Sequence, residues 1–131
     1  MTTAPRILLI EDNEQNRYLV SFLLEQHGCQ VTHAGDGASG LALAEEGNFD
    51  LILLDIQLPV MDGHEVARAL RKLVALHAVP IVAVTSYAMA GDKERILAEG
   101  CNGYLEKPID PDSFVRDVMG FIEKESPGGE P

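Results

Sequence analysis

The sequence predicts an α/β fold in which five β-α units wind into one parallel five-stranded sheet, a doubly wound (βα)5 arrangement. Three observations predict it. The apolar runs Ile7-Leu8-Leu9-Ile10, Leu51-Ile52-Leu53-Leu54 and Ile81-Val82-Ala83-Val84 do not alternate with charge, as suits strands buried on both faces. A segment with helical spacing or helix punctuation follows every strand. With 131 residues and 46% hydrophobic content, the chain has room for one core, built by burial.

The elements follow in order. Ile10 ends the first strand, and a helix runs from about Glu14 to Gln26, stopped by His27-Gly28, with a cation-capable residue at the negative helix end and a glycine free to turn. Gln30 to Ala34 is a weaker second strand, and Gly35-Asp36-Gly37-Ala38-Ser39-Gly40 opens the second helix. After the third strand, Asp62-Gly63 starts a helix in which Val66, Ala67, Leu70, Leu73 and Val74 share one face. The fourth helix, after Gly91 through about Ala98, is short and has little stability of its own, so it is the element suited to move. Gly103 to Glu106 is the fifth strand. Asp110 caps the last helix, Pro111 begins it, Phe114, Val118, Phe121 and Ile122 are its buried side, and Gly120 weakens it. The domain is expected over 1–125, with 126–131 a frayed tail.

Ten Lys plus Arg against 21 Asp plus Glu give a net charge of -11, which repels a phosphate backbone, so no nucleic-acid partner is expected. No apolar run approaches the roughly 20 residues that span a bilayer, and the first residues lack the regions of a signal peptide. No membrane association and a cytoplasmic location are therefore expected. Cys29 and Cys101 fit neither a metal-ligand spacing nor a disulfide framework and read as reduced thiols.

In a parallel sheet, ligands gather beyond the C-terminal strand ends. There stand Glu11 and Asp12, Asp55, Thr85 and Ser86, and Glu106 and Lys107. Each alone reads equally well as a cap, a turn residue or a solvated charge. Together, clustered carboxylates raise one another's pKa unless a cation lies between them. All-oxygen donors favour Mg2+, which Mn2+ could replace. Lys107 adds a second positive charge and Thr85 a hydroxyl, completing the parts of a phosphoryl-transfer site.

The turn Glu11-Asp12-Asn13, with Leu54-Asp55-Ile56, Leu58-Pro59-Val60-Met61-Asp62-Gly63, Ala83-Val84-Thr85 and Gly103-Tyr104-Leu105-Glu106-Lys107-Pro108, resembles the signature of response-regulator receiver domains of two-component signalling, in order along nearly the whole chain. The resemblance implies a flavodoxin-like sheet of order 2-1-3-4-5. It implies Asp55 as phosphoacceptor, Asp12 as a direct Mg2+ ligand, Glu11 as a ligand through water, and the Gln57 backbone carbonyl as a further ligand. Thr85 and Lys107 would hold the phosphoryl oxygens, Tyr104 would turn inward as an aromatic switch, and the bond before Pro108 would be cis. Gln57 and Tyr87 would flank the approach of water and tune phosphoryl lifetime. The phosphodonor would be a sensor histidine kinase or a histidine phosphotransfer protein, and the output a surface read by a downstream protein. Such a chain is a monomer or a phosphorylation-dependent dimer, and not a turnover enzyme on external substrates. The Asn13-to-Arg17 stretch also resembles receivers within hybrid kinases.

Three other functions compete. Gly35, Gly37 and Gly40 form a literal G-x-G-x-x-G opening a helix after a strand, and Asp55 stands 20 positions beyond Gly35, as in a dinucleotide fold. That reading leaves Glu11, Asp12, Thr85 and Lys107 unused. An aspartyl-phosphate phosphatase shares the nucleophile, metal and lysine but typically needs a second acid two residues after the nucleophile, where this chain has Gln57. An FMN carrier shares the architecture, but Glu11 and Asp12 would repel its phosphate.

Overall fold

The structure is a computed structural model that describes residues 4–58, 62–73, 78–86 and 90–124. Strands β1 (Arg6–Ile10), β2 (Gln30–Ala34), β3 (Leu51–Asp55), β4 (Ile81–Thr85) and β5 (Gly103–Glu106) alternate with helices α1 (Glu14–Gln26), α2 (Gly37–Glu46), α3 (Gly63–Lys72), α4 (Ala90–Ala98) and α5 (Pro111–Lys124). All strand pairs are parallel and the order is β2-β1-β3-β4-β5, as expected. None of the described helices is long and apolar enough to cross a membrane.

The uncharged runs occupy the middle of the sheet because both of their faces are covered. Leu8, Ile10, Ile52, Leu54, Ile81 and Ala83 point to one side, against Ala44 of α2, Val66 and Leu70 of α3 and Ile96 of α4. Ile7, Leu9, Leu51, Leu53, Val82 and Val84 point to the other, against Val20 and Leu24 of α1 and Phe114 and Val118 of α5. Each fully buried Leu or Ile removes enough apolar area from water to contribute about 1.5–3 kcal/mol before entropy is counted. The weaker expectation for β2 matches its place at the sheet edge, where Gln30 and His33 are exposed.

Side-chain caps end the loops sharply. Asn13 Oδ1 accepts from Asn16 N at 2.9 Å, and Asp62 and Glu65 form a reciprocal capping box at the start of α3. Asp110 Oδ1 accepts from Asp112 N at 3.0 Å, in keeping with a cap there. Gly28, at φ +92, makes the left-handed turn after α1.

Three expectations need correction. Helix α3 ends at Lys72: Leu73 has extended angles and its N–H closes a tight turn onto Leu70 O at 3.0 Å, yet its side chain still reaches the core. Val74 lies outside the described residues. Helix α4 begins at Ala90, one residue before Gly91. Phe121 and Ile122 are half-buried, packed against the edge of the core that encloses Phe114 and Val118, with the Phe121 ring against Gly103 of β5. The tail 126–131 and Tyr87 also lie outside the described residues. Cys29 and Cys101 are buried on opposite sides of the sheet.

Candidate phosphoryl-transfer site

The sheet ladder continues just past its strands and thereby fixes the residues that follow them. Glu11 N donates to Ala34 O at 3.0 Å, Ile56 N to Val84 O at 3.1 Å, and Lys107 N to Thr85 O at 2.9 Å. These bonds hold Glu11, Asp55, Thr85 and Lys107 at neighbouring ends of β1, β3, β4 and β5, the central part of the sheet and its far edge.

The side chains converge. Glu11, Asp12 and Asp55 each bring a carboxylate oxygen within 4.8 Å of the others. Glu11 and Asp55 are 3% and 2% exposed, whereas Asp12 is exposed. Lys107 Nζ lies 3.2 Å from Asp55 Oδ1 and 3.5 Å from Glu11 Oε1. Backbone N–H groups add to this: Gln57 N donates to Asp55 Oδ1 at 2.9 Å, and Asn13 N to Glu11 Oε2 at 3.2 Å. Thr85 is buried beside them at the end of β4. The peptide bond between Lys107 and Pro108 is cis.

One lysine does not offset the charge of the two buried acids and Asp12. Burial, a hydrogen bond to Asp55 and the negative charge of Asp55 together push the Glu11 carboxyl up to about 7, against the smaller opposing pull of Lys107 and Asn13 N–H. The cluster thus holds a proton near neutral pH for want of positive charge. Three oxygen donors with that deficit, on one side open to water at Asp12, fit a hard divalent cation that retains water ligands.

Not every strand-end residue joins the cluster. Glu106 is exposed and outside it, since neighbouring residues on a strand point to opposite sides. Ser86 contributes its backbone: Ser86 N donates to Gln57 Oε1 at 3.1 Å, tying the β4–α4 loop to the turn after β3. Tyr104 is half-buried on β5, with Lys93 Nζ of α4 5.3 Å from its ring centre. Glu99, just beyond α4, binds His64 and Arg68 of α3, the latter at 2.7 Å, and Arg95 at 3.3 Å. The sequence carried no signal for the Gln57 or Glu99 contacts, which join segments far apart in the chain.

The glycine motif serves packing. Asp36 caps α2, its carboxylate accepting from Ser39 N at 2.8 Å and so occupying the helix end where a phosphate would have to bind. A Cβ on Gly40 would strike the Ile10 side chain, so the glycine permits close approach of α2 to β1. The motif follows edge strand β2, which β1 separates from the strand that carries Asp55.

Comparison with known proteins agrees with this geometry. The family model for the response regulator receiver domain matches residues 7–119. The polar-differentiation response regulator DivK of Brucella ovis is 40% identical over 116 residues, covering 88% of this chain and 94% of its own. The chemotaxis protein CheY4 of Vibrio cholerae has a structure similar at a TM-score of 0.87 and 30% identity, covering 91% of this chain and 99% of that one. The receiver domain of a Pseudomonas aeruginosa sensor histidine kinase, solved with a magnesium ion coordinated in its active-site cleft, is similar at a TM-score of 0.84 and 37% identity, covering 92% and 98%. With the family model matched over most of its length and the fold shared, this chain belongs to the response-regulator receiver domains of two-component signalling.

Proposed function

We propose that Asp55 accepts a phosphoryl group from a phosphohistidine on a sensor histidine kinase or histidine phosphotransfer protein, and that a downstream protein reads the resulting change of surface. The observation that carries this reading is the buried Asp55 carboxylate paired with Lys107 Nζ at 3.2 Å inside a cluster of three acids.

A carboxylate oxygen of Asp55 attacks phosphorus in line, and the phosphorus–nitrogen bond breaks with its electron pair going to the imidazole. Glu11, Asp12, Asp55 and the Gln57 backbone carbonyl would hold Mg2+, or Mn2+ in its place. When bound, that ion supplies positive charge to the carboxylates and to a phosphoryl oxygen. Lys107 holds a second phosphoryl oxygen and Thr85 donates its hydroxyl to a third. A groove lined by Asn16, Leu19, Ser86, Lys107, Pro108 and Ile109 lies beside the lysine and gives a partner histidine a way in.

Phosphorylation replaces one carboxylate charge with about -1.5 to -2 and adds strong acceptors. Drawing Thr85 toward them leaves room for Tyr104 to turn inward, and α4 responds because Lys93 rests on that ring. Gln57 and Tyr87 tune how long the group survives. With an amide at position 57, the chain lacks the second acid for turnover on external substrates, so it is a signalling protein that assists its own phosphorylation and dephosphorylation. In this reading the receiver spans residues 1–125 and works in the cytoplasm, with neither nucleic acid nor membrane as partner, as a monomer or a phosphorylation-dependent dimer.

Acetyl phosphate with Mg2+ tests this by intact-mass spectrometry. One phosphoryl group is expected on the wild type and none on Asp55→Asn or after chelation. Undiminished labelling of Asp55→Asn refutes the assignment.

A further inference from the structure

Arg17 stands one turn into α1 and points back at the turn that carries Glu11 and Asp12. Its Nη1 donates to Glu11 O at 2.9 Å and to Asp12 O at 3.2 Å, while its backbone N–H donates to Asn13 O at 2.9 Å. One residue therefore satisfies three consecutive carbonyls of the acidic turn. Its ion pair with Glu14 is long, 3.9 Å, and that carboxylate is 89% exposed, so the carbonyl bonds are what hold the guanidinium in place.

Gly35 is a second, independent observation. A Cβ there would lie 3.3 Å from Arg17 Nη1, tighter than ordinary contact. The carbonyl just before it, Ala34 O, receives the Glu11 N–H at 3.0 Å. The first glycine of the G-x-G-x-x-G run thus borders both the guanidinium and the turn that the guanidinium holds.

We propose that Arg17 is a positioning residue for the metal site: it fixes the Glu11–Asp12 backbone so that both carboxylates reach Asp55, and Gly35 stays without a side chain to admit it. This rests on the magnesium reading above. Arg17 binds backbone oxygens and therefore acts through the backbone rather than as a ligand. A lysine, whose ammonium ends one bond short of the Nη1 position, substitutes only in part.

Calorimetric titration of the full chain with MgCl2 tests this on wild type, Arg17→Ala, Arg17→Lys and Gly35→Val, with circular dichroism confirming that each is folded. Arg17→Ala is expected to raise the Mg2+ Kd about ten-fold, in line with losses of groups that orient metal ligands. Arg17→Lys and Gly35→Val raise it less. In acetyl phosphate labelling, the Mg2+ concentration for half-maximal rate rises by the same factor while the ceiling rate falls under about two-fold. A folded Arg17→Ala with the wild-type Kd overturns the proposal, as does a lower ceiling without a shift in half-saturation. If Arg17→Ala does not fold, an unaltered Kd in Gly35→Val overturns it instead. Failure of the wild type to take up Mg2+ removes the metal reading and this inference with it, whereas wild-type uptake matched by the variants removes this inference alone.

Discussion

Glu11 makes the stability of the metal-free protein depend on pH in an unusual direction. Its carboxyl moves from 4.5 to about 7 on folding, because it is buried and lies hydrogen-bonded against Asp55. A group whose folded pKa lies above its unfolded value leaves the folded chain holding more protons, so the stability it supports is present below pH 4.5 and is lost as pH rises through 7. A shift of some two and a half units, at about 1.4 kcal/mol each, is worth about 3 kcal/mol in all, most of it lost between pH 5 and pH 8. Urea unfolding without metal at several pH values measures it. The other titrating groups, histidines included, are removed by subtracting the same series for Glu11→Gln, whose amide cannot ionise. The difference between wild type and mutant should favour wild type at low pH and decline by that amount. Saturating Mg2+ should stabilise the wild type more at pH 8 than at pH 5.5, since a carboxyl that binds the ion must first lose its proton. A difference that is flat, or that grows with pH, would refute the reasoning.

Two further perturbations probe the scaffold and the switch. Gly63→Ala places a Cβ against the backbone of Ile56 and the Asp55 carbonyl, neither of which can give way without moving Asp55. It should cost about 1–3 kcal/mol in urea unfolding and slow phosphorylation by acetyl phosphate; unchanged values in both would show that the turn is more yielding than its geometry indicates. Thr85→Ala should still take up phosphoryl groups but fail to pass the change to α4, so hydrogen exchange there should respond to phosphorylation in wild type and little in the mutant. Identical responses would remove Thr85 from the switch.

The central strands were legible because a strand covered on both sides has no reason to alternate with charge, and β1, β3 and β4 are so covered. Edge strand β2 was fainter, since its exposed residues dilute the apolar pattern. The end of α3 was misjudged for a related reason: Leu73 keeps the helical spacing and reaches the core, but from an extended backbone. At the site, acids directly after buried strands signalled Glu11, Asp12 and Asp55. Glu106 carried the same local signal and does not join them, because the direction of a residue at a strand end depends on its phase in the ladder. Arg17 and Gln57 were harder to see in their structural roles, as each holds a backbone segment whose position depends on the folded turn.

The central claim is that Asp55 itself carries the phosphorus. Reduction of the phosphorylated chain with borohydride converts an aspartyl phosphate to homoserine, and peptide mapping then locates it. Homoserine at position 55, dependent on Mg2+ and on the phosphodonor, is the predicted result. Homoserine at position 12, or phosphate retained on a histidine with position 55 unmodified, would contradict it.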